Sequence, residues 1–169
     1  MDRLSGEFTN LRQYPRAAEI LQRTIKEYGP GHDNQREQQL EQIIGNWGRF
    51  EPISTQPAGQ GATIDFRFRN GKKVSFEAHA IRIDKLLADV KVYLKSRPRQ
   101  LDWEKTNIQD FGYRLVQKNE KRYLTDKVAA WDLELEPRGQ HLDKRITVAT
   151  PLQKAGAYLL RAKMADGNV

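Results

Sequence analysis

At 169 residues the chain has room for one domain of roughly 100 to 120 residues with a small appendage, and is too short for a multidomain machine. Hydrophobic residues make up 38% and charged residues 30%, a polar but foldable composition, and the lack of cysteine excludes disulfides, thiolate nucleophiles and most structural zinc sites. Residues 1–50 hold seven basic and seven acidic residues, so the rest of the chain supplies the whole net charge of +7, a diffuse excess rather than the clustered stripe of a dedicated nucleic-acid binder.

The chain opens on Met1, Asp2 and Arg3, unlike a signal peptide, and no apolar run approaches the roughly 18 to 20 residues of a bilayer span. Over 11–28, Tyr14, Ala17, Ala18, Leu21, Ile25 and Tyr28 repeat at the three-and-four spacing of one helical face, with Pro15 in the first turn and Gly29-Pro30 as the stop. Asn34 with Glu37 three residues later suits a capping box, and Leu40, Ile43, Ile44 and Trp47 form a second stripe, so the pair predicts an antiparallel helical hairpin over residues 1–48. The run from Tyr14 to Tyr28 resembles part of a tetratricopeptide-type repeat; a single pair must lean on its neighbours, since such solenoids need about three repeats.

Pro52, Pro57, Gly59 and Gly61 mark residues 49–61 as a linker. Beyond it the period becomes two. Ile64, Phe66 and Phe68 share a face opposite Asp65, Arg67 and Arg69; Asn70-Gly71 follows, then Val74, Phe76, Ala78 and Ala80, which together predict a β-hairpin. Ile81 and Ile83 break the parity, which predicts a bulge near Ala80. Asp84 can cap a short inserted helix carrying Leu86, Leu87, Val90 and Leu94. The stretch 103–111 is left open, with a turn of helix as one reading, and strands are expected over 113–116, 123–124, 128–135, 145–149 and 157–164. The class is therefore α+β, a helical hairpin (1–48), a linker (49–61) and an antiparallel two-sheet β-sandwich (62–169) with a short inserted helix.

No motif organises a reaction. His32, His79 and His141 stand far apart with no metal-ligand spacing; His79 is expected on the exposed face of its strand and His141 in a turn. Asp132, Glu134 and Glu136 alternate with Trp131, Leu133 and Leu135, so they line a solvent face, where they could draw a cation but more simply make a charged edge that resists strand-to-strand pairing. The stretch from Phe66 to Lys73 interleaves aromatic and basic residues like a single-strand nucleic-acid platform, yet alternation sends Phe66 and Phe68 inward, away from Arg67 and Arg69. No phosphate loop, Ser/His/Asp arrangement or nucleophile elbow is present, so no catalytic, cofactor-binding or metal-binding residue is expected, and no enzyme.

Three phrases, Phe66 to Phe76 with Arg82-Ile83-Asp84 after it, Val128 to Leu133, and Thr150-Pro151 leading to Gly156-Ala157-Tyr158-Leu159-Leu160, resemble the early macroglobulin-type domain of bacterial alpha-2-macroglobulin-like proteins, above all large ones in which helical repeats precede that domain. The resemblance covers about two thirds of the chain, and its motifs are structural. It implies an immunoglobulin- or fibronectin-like sandwich and a non-catalytic structural and interaction module of a large protease-inhibitor-like or envelope-defence protein. It also implies a periplasmic or extracellular parent, with or without a membrane tether. The implied partners are neighbouring domains and, through the parent, proteases; neither a specific nucleic acid nor direct membrane insertion is expected. In relatives the segment matching 162–169 is a turn followed by another strand, so the sandwich is expected to stop one strand short. The family's reactive thioester needs a cysteine that this chain lacks. The alternative is a β-sandwich that binds an anionic ligand such as a polysaccharide or nucleic acid.

Overall fold

The computed structural model describes residues 1–108 and 111–168. Three helices lead the chain, α1 (Asp2–Asn10), α2 (Tyr14–Tyr28) and α3 (Gln35–Ile44). Ala17, Ala18 and Leu21 of α2 pack on Ile43 of α3 with Phe8, Tyr14, Leu40 and Ile44 around them, the small alanines letting the helices approach. Helix α1 is additional to the expected pair. Leu4, Phe8 and Leu11 stand at helical spacing, but Leu4 and Leu11 point to solvent and the packed face is Ser5, Phe8 and Thr9. Arg36 of α3 ties it down with two bonds to the Asp2 carboxylate, at 2.8 and 2.9 Å, and one to the Gly29 carbonyl.

Two details of the second helix differ from expectation. Asn34, the last residue of a 3-10 turn (His32–Asn34), adopts left-handed backbone (φ 57°) and makes no side-chain cap. Trp47, expected on the helical stripe, instead opens strand β1 (Trp47–Phe50), which runs into the stretch read as linker.

Strands β2 (Thr63–Arg69), β3 (Lys73–Ile81), β4 (Leu124–Glu134), β5 (Lys144–Ala149) and β6 (Tyr158–Met164) complete two antiparallel three-stranded sheets, ordered β1-β2-β5 and β4-β3-β6. Ile64, Phe66 and Phe68 of β2 and Val148 of β5 face Val74 and Phe76 of β3 and Met164 of β6 in one dry interior, closed by Leu135. The Phe66 and Phe76 rings meet edge to face across the sheets, with centroids 5.4 Å apart.

The expected β2–β3 hairpin is therefore an arch between sheets. A two-residue type I′ turn needs positive φ at both central residues, and only Asn70 (58°) has it. The Gly71 N–H bonds back to the Arg69 carbonyl at 2.6 Å, a three-residue turn that swings β3 across the interior and leaves β1 and β5 to pair with β2. Gly71 also has no room for a side chain, since a Cβ would run into the Met164 methyl.

The bulge expected near Ala80 lies instead on the facing strand: from Ala129 to Lys127 and from Lys127 to Leu124, β4 uses one residue more than β3, while β3 keeps an unbroken register with β6 through Ala80. Past it Ile81 packs on a smaller second core. That core joins Leu86 of α4 (Ile83–Lys95) to Phe111 and Leu115 of α6 (Phe111–Gln117) and to Tyr123, whose hydroxyl donates to Asp89 at 2.8 Å. Residues 113–116, expected as a strand, belong to α6: Phe111, Arg114 and Leu115 are buried at helical spacing while Tyr113 and Val116 face solvent. Tyr123 ends a 3-10 turn, Lys121–Tyr123, and Leu124 begins β4. In the open stretch, Trp103–Thr106 forms one helical turn, α5, and Gln109 and Asp110 lie outside the described residues.

Candidate functional site at the helix–sandwich junction

A buried polar cluster joins α3 to the end of β2. Arg69 was expected on the solvent face with Arg67, but its side chain is only 9% exposed. Its guanidinium lies 4.4 Å from the Tyr14 ring and 5.3 Å from the Trp47 ring. Its Nε and Nη2 reach Asp143 Oδ1 at 2.7 and 2.6 Å, and its Nη1 donates to the Gln42 carbonyl at 2.9 Å. The neighbouring Asn70 Nδ2 donates to the carbonyls of Ile43 and Gly45, both at 2.9 Å.

The physical logic is that of a helix C-terminus. The last carbonyls of α3 have no partners within the helix and carry partial negative charge, and here a buried cation and an amide satisfy three of them. The helices and the sandwich are thus held at this joint by directed bonds and by the two rings flanking Arg69. His141 completes the joint with Nδ1 at 2.8 Å from Asn70 Oδ1. Because the amide nitrogen is committed to carbonyls, Oδ1 must accept and Nδ1 must carry the hydrogen. Burial, and next the charge of Arg69, hold the His141 pKa below its ordinary value.

Beside the joint a cleft of about 900 Å³ opens between α3 and β1, with Glu37, Glu41 and Gln42 on one wall and Trp47, Arg49 and Asn168 on the other. Asn168 closes its floor: its side-chain amide takes both the N–H and the C=O of Gly48, each at 2.7 Å, as a neighbouring strand would. At the far end of the sandwich a groove of about 500 Å³ runs past Phe50, Ile53, Ile64, Leu152 and Leu160, where Gln56 satisfies the N–H and C=O of Thr63 in the same way.

The remaining residues singled out from sequence do not converge. His32 is exposed beside Asp33. His79 was expected in solvent, yet its side chain is 18% exposed, its Nδ1 3.2 Å from the Thr125 carbonyl and its Nε2 buried without a hydrogen bond. The bulge explains this, since it brings the start of β4 over the ring. Asp132 pairs with Lys73 at 2.9 Å and Glu136 lies 3.7 Å from Lys144, while Glu134 stands opposite Lys73 in the ladder. Among the described residues no three His, Cys, Asp or Glu side chains are placed to hold a metal ion. Phe66, Phe68 and Phe76 are sealed inside as expected, and Arg67 meets Glu51 at 2.6 Å.

Sequence reasoning missed Arg69, Asn70 and Asp143 as a unit. In an alternating strand Arg67 and Arg69 look alike; the one available signal was Arg69's place beside the turn, where strand parity no longer governs what a long side chain can reach.

No family model and no curated protein matches the sequence. Among solved structures the chain is similar to native alpha-2-macroglobulin from Escherichia coli, in a crystal structure spanning domains MG0-NIE-MG1, with a TM-score of 0.44 and 14% identity over 72% of this chain. It covers 34% of the length of that chain.

Proposed function

We propose that this chain is a non-catalytic structural and interaction module of a large alpha-2-macroglobulin-like protein of protease-inhibitor or envelope-defence type, working outside the cytoplasm. In this reading residues 1–48 are a helical lead-in, 49–61 a connection whose first strand belongs to the sandwich, and 62–169 the macroglobulin-like domain. Its immediate partners are neighbouring domains, proteases are met only through the parent, and no residue serves as a catalytic, cofactor or metal site.

The observation that carries the reading is the buried Arg69 joint, because a module that spaces its neighbours must keep its own two parts at one angle. A buried guanidinium bound to a carboxylate and a helix-terminal carbonyl, and flanked by two rings, gives the joint directed bonds that bending would break. The strand phrases that resemble the macroglobulin-type domain supply the family context.

Small-angle scattering tests the spacer role. The intact chain should fit one rigid shape across salt concentrations, whereas Arg69→Ala should broaden the distance distribution. An equally rigid Arg69→Ala protein would remove the argument. The anionic-ligand alternative is checked by titrating heparin and short DNA at physiological ionic strength. A spacer gives only weak binding that fades as salt rises, and a salt-resistant, sequence-preferring complex would overturn the proposal.

A further inference from the structure

We infer that helix α4 docks the chain on an anionic lipid surface, lying in the headgroup layer with Ile83, Leu87 and Leu94 turned toward the hydrocarbon. The inference is independent of the function proposed above.

The apolar face of α4 is wider than the core it covers. At about 100° per residue, Ile83, Leu87, Val90 and Leu94 follow the four-three-four spacing of a single strip, beside the line of Leu86 and Tyr93. The second core uses only part of this face: Leu86 is 1% exposed and Val90 packs beside it, while Ile83, Leu87 and Leu94 are 37%, 38% and 47% exposed. A surface helix ordinarily turns its apolar stripe into the core, and an exposed apolar row rimmed by charge marks a docking surface. The row is extended at its Leu94 end. There the Tyr93 hydroxyl accepts the Asp102 N–H at 2.8 Å and so holds Trp103, 75% exposed, close by. Tryptophan is enriched at the boundary between water and hydrocarbon.

The charges select the layer. Residues 82–99 hold six basic residues, Arg82, Lys85, Lys91, Lys95, Arg97 and Arg99, against Asp84 and Asp89, so this short segment supplies +4 of the chain's +7. All six are exposed and none makes an ion pair among the described residues, whereas Arg67, Lys73, Lys127 and Arg145 of the sandwich each do. Asp89 is already taken by the Tyr123 hydroxyl. Lys91 comes next round the helix from Leu87, and Lys95, Arg97 and Arg99 carry the charge past the C-terminal end. A polyanion such as heparin or nucleic acid would take the cations and leave the aliphatic row in water. A bilayer with anionic headgroups sets its negative charge directly over hydrocarbon and takes both, which is how a basic amphipathic helix lies in a membrane interface. Docking of this kind is adsorption, since among the described residues no helix is long and apolar enough to cross a membrane.

Co-sedimentation of the intact chain with lipid vesicles tests the docking. It should bind vesicles of phosphatidylcholine mixed with phosphatidylglycerol, should not bind phosphatidylcholine alone, and should be released progressively as salt rises. Lys91→Glu combined with Lys95→Glu should weaken binding at least about tenfold. Leu87→Ser combined with Leu94→Ser should weaken it by about the same factor, because these side chains supply the apolar burial. Val92→Ser should leave it unchanged: Val92 is 69% exposed but lies roughly 160° around the helix from the strip.

The leucine pair separates lipid from polyanion, since a polyanion would respond to the lysines alone. No binding to the anionic vesicles, equal binding to both kinds, full binding by the leucine variant, or an equal loss at Val92 would each overturn the proposal. All five side chains are exposed, so the variants should melt with the parent. The lysine pair and Val92→Ser decide the matter even should the leucine variant fail to fold.

Discussion

The guanidinium of Arg69 sits 4.4 Å from the centre of the Tyr14 ring, 55 residues away in sequence, and this contact joins the second helix to the second strand. Arg69 also reaches Asp143 and the Gln42 carbonyl, so its removal strands a carboxylate and a helix-terminal oxygen together. Arg69→Ala should cost about 3 kcal/mol, the low end for breaking a buried pair because Asp143 keeps partial access to water, and should lower the melting temperature by roughly 10 °C. Arg69→Lys should recover little, since an ammonium cannot span the carboxylate and the carbonyl in one plane. Calorimetry on the three proteins checks both statements.

Phe76 is 1% exposed and touches Phe66 and Trp131 at centroid distances of 5.4 and 5.2 Å. Phe76→Ala should cost about 3–5 kcal/mol in urea unfolding. Tyr113, 63% exposed on α6, is the contrast, and Tyr113→Ser should stay within about 0.5 kcal/mol of the parent. Similar losses at the two positions would contradict the assignment of interior and surface.

Gly71 faces the Met164 methyl with no space for a Cβ. Gly71→Ala should cost about 1–3 kcal/mol by overpacking. Because the obstacle is the flexible end of one side chain, combining it with Met164→Ala should cost less than the sum of the two single changes. A double-mutant cycle that comes out additive would show that the turn, and not the methyl, sets the cost.

His141 predicts a pH dependence with a definite sign. Its folded pKa lies below the ordinary value of about 6.5, so the unfolded chain takes up a proton first as pH falls. The stabilisation linked to it is therefore complete above about pH 6.5 and is lost as pH drops through the ordinary value toward the depressed one. Asp2, Asp65, Glu77 and Asp132, whose pKa values are lowered chiefly by hydrogen bonds to Arg36, Thr147, Lys127 and Ser75 respectively, act in a separate, more acidic window, below the usual carboxylate range. Unfolding free energies from pH 4.5 to 8 should fall with acid more steeply for the parent than for His141→Gln. Identical slopes between pH 5 and 6.5 would exclude the histidine as the cause.

Much of the architecture could be read directly from residue order. The alternation Ile64, Phe66, Phe68 and Val74, Phe76, Ala78 specifies two strands with their aromatic faces inward, because side-chain direction along a strand is local geometry. The stripe of Ala17, Leu21 and Ile43 likewise identifies packed helices. Pairing is another matter, since it depends on the distant strands β1 and β5 that take the edges of β2 and on the tight turn at Asn70-Gly71. The same two strands that read as a hairpin lie in different sheets. Residues 113–116 fit a strand or a helix by local pattern and became helical because Phe111, Arg114 and Leu115 had a core to fill.

The joint follows the same division. In the chain only the adjoining Asn70-Gly71 turn tells Arg69 from Arg67, and its partners are set because α3 ends where β2 ends, leaving carbonyls in need of donors. Local order thus decides which way a side chain points, while its partner is decided by what distant segments leave unsatisfied, and that depends on contacts between residues that no short-range pattern records.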